Sequence, residues 1–494
     1  MEEKVRVVVA GGGTAGWLTA YSLAKRLGNS LDITLVESDQ IGTVGVGEAT
    51  VPTMHRFHAF FGIDEREFMR ATQATFKLGI VFDNWGAQGE SYAHTFGEIG
   101  QSNWLVEFHQ YWLEAHANGF GGKLEDYCLE LKAAEAGKFA KSVGDTPLTY
   151  AFHLNATAYA GFLRQKSEAL GVKRVEGKIS EVVVDSETGN IQSLALEQNK
   201  KVAGDFFVDC TGFRSLLLGD ALGVEFEDWG HWLAADRALA VQTESTEPPP
   251  PFTRATAHPS GWQWRIPLQN RTGNGFVYSS RFCSDDDARA TLLGNVTGKT
   301  ITDPLQLRFK TGRFANAWHK NCVAIGLSSG FVEPLESTSI HLIDTALVRL
   351  MRLFPFAGAM EPLAEQFNAD TQVEWEAVRD FIILHYKQTQ RDDSEFWNFY
   401  RTMDIPDSLA HRIDMFNENG YVWSDLANLF RAHSWIQVMF GQGLFPEHCH
   451  GASRILPTNA LKQELEKTSA FVNQNLAKLP DHEDFIKQYC PAQN

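Results

Sequence analysis

Gly11-Gly12-Gly13-Thr14-Ala15-Gly16 sets a G-x-G-x-x-G spacing directly after the β-branched run VRVVVA that begins at Val5. Glycines in that pattern serve a tight turn, a close backbone approach to a pyrophosphate, and the packing of a helix on the strand. Glu37 ends the second strand, ITLVE, where a carboxylate can accept ribose hydroxyls. Together Gly11, Gly13, Thr14, Ala15, Gly16 and Glu37 indicate dinucleotide binding. Asp209-Cys210-Thr211-Gly212 closes a later strand, where a Thr-Gly turn can approach a flavin's ribityl-phosphate region. Gly45-Val46-Gly47-Glu48-Ala49-Thr50 is a glycine-punctuated loop placed to wrap a cofactor. Only one full fingerprint occurs, so a second tightly bound dinucleotide such as NADPH is not indicated, and FAD is favoured.

Lys77 is the second residue with chemical promise. It stands alone as a cation in Ala74-Thr75-Phe76-Lys77-Leu78-Gly79-Ile80, which is unlike a solvated face. Burial lowers a lysine's pKa and leaves the amine able to hydrogen-bond to, or react with, an electrophile. The competing reading is a lysine that snorkels from the end of an element. Further on, Ile343, Ala346, Leu347, Leu350, Met351 and Phe354 follow helical spacing. Ser337 and Thr338 therefore fall near a helix N-terminus, where free N–H groups and the dipole attract an anion.

These residues need elements to hold them. The strand at Val5, the helical spacing of Ala15, Leu18, Tyr21, Leu23 and Leu27, and the strand ITLVE make a βαβ opening and a parallel sheet. Residues 52–72 and 151–170 read as helices, the second ending at Gly171. Strands follow to about 210, with a hairpin turn at Asp185–Asn190. Pro248–Pro251 marks a linker or crossover. GWQWRIPL and NGFVYSSRF alternate as antiparallel strands, and helical periodicity dominates from about 340.

The 494-residue chain carries 44 basic against 61 acidic residues, a net charge of −17, which argues against nucleic-acid and anionic-membrane partners. Its 34 Phe and 13 Trp suit large apolar pockets. Six scattered cysteines without C-x-x-C spacing fit a reducing compartment. With no signal peptide and no apolar run of membrane-spanning length, the expectation is a cytoplasmic enzyme. His448-Cys449-His450 lacks the spacing of a metal site, and none is expected.

GGGTAGW at Gly11, GVGEATVP at Gly45, GWQWRIP at Gly261 and EPLEST at Glu333 resemble the flavin-dependent halogenases of the tryptophan halogenase family, from about residue 5 to about 445. The resemblance implies an α/β fold: a glutathione-reductase-type, Rossmann-like FAD domain over 1–350, with a substrate-side sheet inserted at about 80–150 and 222–300, and a helical substrate-binding region over 351–494. It implies that reduced FAD from a separate NAD(P)H-dependent flavin reductase, oxygen and chloride or bromide yield hypohalous acid. That oxidant passes to a second chamber and halogenates an electron-rich arene. Ala49, Ile179, Leu327 and Ile340 join the cofactor set. Trp262, Trp264, Ile266 and Pro267 separate the chambers. Lys77 holds the oxidant and Glu336, rather than Glu333, assists substitution. Ser337, Thr338 and Ser339 bind halide, and His94 and Phe96 flank the arene.

Two departures from the tryptophan-specific members bear on selectivity. Ser339 stands where they commonly have glycine, which predicts a different halide preference, with bromide the candidate. Trp435 and Ile436 stand where they have a tyrosine pair ahead of Gly-x-Gly, here Gly441-Gln442-Gly443. Losing two hydroxyls at a polar recognition site weakens discrimination for a free amino acid. Indole, another electron-rich arene, or tryptophan within a larger molecule is expected ahead of free tryptophan. A homodimer is a possible assembly. The rival readings are an aromatic hydroxylase and a non-catalytic flavin-fold protein.

Overall fold

The N-terminal βαβ unit forms as its sequence predicts. Strand Val5–Ala10 runs parallel to Leu31–Glu37, and the helix Thr14–Leu27 crosses between them. The computed structural model describes residues 4–41, 47–423 and 428–492. Val5–Ala10 is also parallel to Phe206–Asp209, which pairs with Cys322–Ala324 in the same six-stranded sheet. Strands this buried on both faces read as continuous apolar runs, and VRVVVA and FFVD do so.

The chain also forms a seven-stranded sheet. Its strand order is Leu305–Arg308, Arg237–Thr243, Thr272–Tyr278, Gly261–Pro267, Thr253–His258, Gly79–Asp83 and Ser91–Thr95. Gly261–Pro267 and Thr272–Tyr278 pair antiparallel, with Trp264 opposite Gly275. A Cβ at Gly275 would come within 1.9 Å of the Trp264 indole, so glycine there makes room for the ring. Pro248–Pro251 is a crossover inside this sheet rather than a linker, and its Pro251 carbonyl accepts the Leu78 N–H at 2.7 Å.

A small third sheet joins Gly47–Ala49, Ala151–Asn155 and Thr75–Lys77. It corrects two expectations. Gly47–Ala49 is a strand rather than part of a loop, while Gly45 and Val46 lie outside the described residues. Residues 151–155 are a strand, and the helix begins only at Ala156, where the Asn155 side chain accepts the Ala158 N–H. Both faces of 151–155 are buried: Phe152 packs among aromatic rings while His153 bonds Thr75 and Thr253. Burial on both faces removes the alternation that would distinguish a strand.

Two large apolar cores result. One lies behind the nucleotide turn and includes Trp17, Phe76 and Leu78; the other includes Ile80, Phe82, Trp262, Trp264 and Tyr386. Lys77 sits at the seam between them. The helices Glu361–Lys387 and Ala432–Gly441 close the second core, while Ser339–Arg352 packs mainly into the first through Ile340, Ile343, Leu347 and Leu350. The helix His482–Tyr489 returns to the first, where Phe485 and Tyr489 pack on Phe76. Among the described residues no helix is long and apolar enough to cross a membrane.

That return contact is pH-sensitive. His482 Nε2 accepts the Phe76 N–H at 3.2 Å and its Nδ1 faces the Pro249 carbonyl at 2.7 Å, so the ring is bonded as a neutral imidazole. Burial holds its pKa down to about 4, with the Pro249 carbonyl opposing. The unfolded histidine titrates near 6.5. Its contribution to stability is therefore complete above about 6.5 and is lost as pH falls through about 4, about 3 kcal/mol in all. In chemical denaturation, the stability gap between wild type and His482→Gln should narrow as pH falls over that window. A gap constant with pH would refute the assignment.

Candidate active site

The glycine turn leaves no room for side chains on its inner side and open space on its outer side. Gly11 has φ +110°, and a Cβ on it would meet the Cys210 carbonyl at 2.1 Å. A Cβ on Gly12 would lie 1.5 Å from Glu37 Oε2, and one on Gly16 would lie 1.8 Å from the Gly11 carbonyl. Among the described residues a Cβ on Gly13 would meet nothing within 4 Å, and Gly13 caps the helix Thr14–Leu27 without a side-chain acceptor or an acid in the first turn. The positive end of that helix thus faces open space, as a pyrophosphate requires.

That space is a cavity of about 440 Å³. Gly11, Gly13, Thr14, Ala15, Glu37, Ala49, Ile179, Leu327 and Ile340 all line it, and Gly16 does not. Gly16 packs the helix on the turn instead. Glu37 accepts from Arg174 Nε at 2.5 Å and from Trp17 Nε1 at 3.2 Å, which fix the carboxylate at the cavity edge. The glycine cradle and the open helix end fit a dinucleotide.

Trp262, Trp264 and Ile266 point into the cavity at alternate positions of one strand and form its far wall. Pro267 does not line it; its carbonyl accepts the Thr75 hydroxyl at 2.7 Å. That bond ties the wall to the strand that carries Lys77.

Lys77 is fully buried and lies outside the cavity lining. Nζ donates to Ser337 Oγ at 2.8 Å and to the Thr50 carbonyl at 3.1 Å, and lies 5.2 Å from the centre of the Phe96 ring. Burial drives its pKa down to about 7, and the charge of Glu336 opposes that shift. Ser337 touches both sides: its hydroxyl accepts from Lys77 while the residue lines the cavity, as Ser339 does. Thr338 is buried off the lining, and its hydroxyl has no partner among the described residues. Ser337 takes φ 61°, a left-handed turn that starts the helix Ser339–Arg352.

Glu336 is buried between two histidines. His94 Nδ1 lies 2.8 Å from Oε2, and His385 Nε2 lies 2.8 Å from Oε1, off the line of a straight hydrogen bond. Burial alone would raise its pKa, but His94 and His385 hold it down to about 2, so it is ionised. Glu333 behaves oppositely. Burial pushes it up to about 7 against the bonds it accepts from Tyr386 at 2.9 Å and Trp262 Nε1 at 3.2 Å. Glu333 braces the tryptophan wall, and Glu336 stands on the Lys77 side.

His94 thus engages Glu336, and its ring lies edge-on to Phe381 at 5.4 Å. Phe96 is 6.5 Å from His94. Phe381 and Phe430 stack at 3.9 Å, and Trp435 packs edge-on against Phe381 at 4.9 Å. Trp435 and Ile436 are both buried, and the Trp435 indole N–H is spent on the Phe430 carbonyl. The structure therefore adds His385, Tyr386, Phe381 and Phe430 to the neighbourhood. Nothing in their local sequence distinguishes them from core residues of a long amphipathic helix and a loop.

A family model described as tryptophan halogenase matches residues 6–458. Tryptophan 6-halogenase SttH of Streptomyces toxytricini is 38% identical over 440 residues, covering 83% of each chain. Tryptophan 7-halogenase RebH of Lentzea aerocolonigenes is 33% identical, covering 98% of each. Among solved structures, Xcc4156, a flavin-dependent halogenase from Xanthomonas campestris, superposes with TM-score 0.97 at 50% identity over 99% of both chains. BrvH, a flavin-dependent halogenase from Brevundimonas sp. BAL3, gives 0.94 at 43% identity, covering 99% of this chain and 100% of its own.

The coupling of Lys77 to Glu336 is measurable. With lysines labelled at Cε, carbon NMR should find Lys77 titrating near 7. Glu336→Gln removes the charge that favours the ammonium, so Lys77 should then titrate lower still. An upward shift would show that the two groups are not coupled as the geometry requires.

Proposed function

The chain belongs to the tryptophan halogenase family and is a flavin-dependent halogenase; from that premise we propose that it uses reduced FAD, oxygen and chloride or bromide to halogenate indole or a related electron-rich arene. In this reading FAD lies along the glycine turn, and when reduced it supplies, with oxygen and halide, hypohalous acid.

The observation that carries the proposal is the buried amine of Lys77, its pKa brought down to about 7, bonded to a Ser337 that itself lines the cavity. A neutral amine can accept a hydrogen bond from hypohalous acid or take up its halogen, which an ammonium cannot do. Trp262, Trp264 and Ile266 bar the arene from the cavity and confine the oxidant to the Ser337 route. His94 and Phe96 hold the arene beside Lys77. The ionised Glu336 stabilises the cationic ring formed on substitution and receives its proton. Ser337, Thr338 and Ser339 bind halide at the helix N-terminus.

The names of the relatives put tryptophan among the candidate substrates, but the surroundings of Trp435 support a less polar arene. Neither Trp435 nor Ile436 offers a free donor to an amino-acid group. Arg412 is held between the Trp423 and Trp435 rings at 3.8 and 4.1 Å. The proposal divides the chain into a flavin domain over 1–350, with the inserted sheet at about 80–150 and 222–300, and a helical substrate region over 351–494. It includes a separate NAD(P)H-dependent flavin reductase, a cytoplasmic setting and a homodimer.

Product mass spectrometry tests it, with FAD, a flavin reductase, NADH, oxygen and either halide, on a panel of indole, tryptophan, phenols and pyrroles. A halogen isotope pattern should appear, strongest with indole-like arenes, and Lys77→Ala should lower its rate by about a hundredfold or more. A product heavier by one oxygen and independent of halide would replace the halogenase with a hydroxylase. Ser339→Gly should change the bromide-to-chloride rate ratio; an unchanged ratio removes Ser339 from halide selection.

A further inference from the structure

Bonding around Glu336 continues past His385. The His385 Nδ1 lies 2.8 Å from the Tyr92 hydroxyl. Tyr92 in turn lies 2.9 Å from Gln442 Nε2, and that same nitrogen donates to the His385 backbone carbonyl at 2.8 Å. Gln442, Tyr92, His385 and Glu336 are all buried, away from bulk solvent.

The carbonyl sets the direction. It can only accept, so the Gln442 amide must turn its NH₂ toward it, because an amide oxygen there would face another oxygen. The NH₂ then also donates to the Tyr92 oxygen. With that oxygen accepting, the Tyr92 hydrogen goes to the remaining partner, His385 Nδ1. Nδ1 is thereby an acceptor, and the single proton of a neutral imidazole sits on Nε2, facing Glu336 Oε1.

The geometry points to Gln442 and Tyr92 as positioning residues that keep His385 neutral, with its one proton on Nε2 toward Glu336, so that this carboxylate retains its full negative charge for the arene. An imidazolium 2.8 Å away would cancel that charge. Burial lowers the His385 pKa in the same sense. The other titratable groups interacting with the pair, among the described residues, are Lys77 on the strand Thr75–Lys77 and His94 on Ser91–Thr95, with His433 of the helix Ala432–Gly441 next to His94. Of these, burial, with His94 and Arg431, holds His433 down to about 4.

The sequence builds this chain through Gly441-Gln442-Gly443. A Cβ on Gly441 would meet the Tyr92 ring at 2.6 Å, and Gly443 takes φ +79°. Only with glycine at both places can the helix end bring Gln442 against Tyr92. Phe82 stacks on the His385 face at 4.6 Å and 27°, which leaves both ring nitrogens free to bond in the plane.

The role given to Glu336 rests on the proposed function; the proton arrangement does not. The test is nitrogen NMR of the flavin-free full chain with labelled histidine, from about pH 5 to about pH 8, with His385 identified by its loss in His385→Gln. Wild type should show His385 protonated on Nε2 alone throughout. Gln442→Glu supplies an oxygen that accepts from Tyr92, so the chain reverses and Nδ1 should gain a proton as well. In turnover, Gln442→Glu should lower kcat by about tenfold or more with KM changed less than about twofold. A wild-type His385 protonated on Nδ1, or on both nitrogens, overturns the proposal even if the variant does not fold. A folded Gln442→Glu with the wild-type pattern overturns it too. Absence of halogenated product from wild type would strike the halogenase reading instead and leave the histidine signals as they are.

Discussion

A buried amine and a buried carboxylate attract each other strongly, and an active site that needs both must stop them from merging into one ion pair. Here each is given its own partners. Lys77 donates to Ser337 and the Thr50 carbonyl, while Glu336 is flanked by His94 and His385. Glu336 still tempers the fall in the Lys77 pKa, but it does not capture the lysine proton donors. The seam between the two cores exists to keep that arrangement dry. Phe76 and Leu78 anchor the lysine strand on one side, and Ile80 and Phe82 on the other.

The two glutamates of one short segment show how position decides chemistry. Glu333 and Glu336 are three residues apart, equally buried, and shifted in opposite directions. Glu333 meets a phenol and an indole N–H, neutral donors that do not compensate for lost water. Glu336 meets two imidazoles, whose polar N–H edges lie against its oxygens and favour the anion. Adjacent residues of one helix, His385 and Tyr386, supply a partner to each. The helix Glu361–Lys387 thus braces the tryptophan wall and the Lys77 side within a single turn.

Local pattern made the nucleotide turn, the lone lysine and the paired strands around Trp262 and Trp264 legible in the sequence. Each owes its form to neighbours in the chain: glycine spacing, a cation in an apolar run, alternation across a hairpin. The strand Ala151–Asn155 was hidden because both its faces are buried. Tyr92, His385 and Gln442 were hidden because they come from an edge strand, a long helix and a helix end, and only the topology brings them to Glu336. Resemblance supplied expectations for Glu336, His94 and Phe96 that residue patterns alone would have left as ordinary core. It did not reveal that His94 is bonded to Glu336.

The bond from the Phe76 N–H to His482 spans 406 residues. Ribosomes add about 5–20 residues each second, so the strand carrying Lys77 would wait roughly 20 to 80 seconds for the partner that closes its back. During synthesis the nucleotide turn already has its first strand and helix, while the strand that carries Lys77 still lacks that backbone bond. Ser337 and Thr50, which hold the amine itself, precede His482 in the chain, so the backbone bond behind the lysine is the last of these contacts to form.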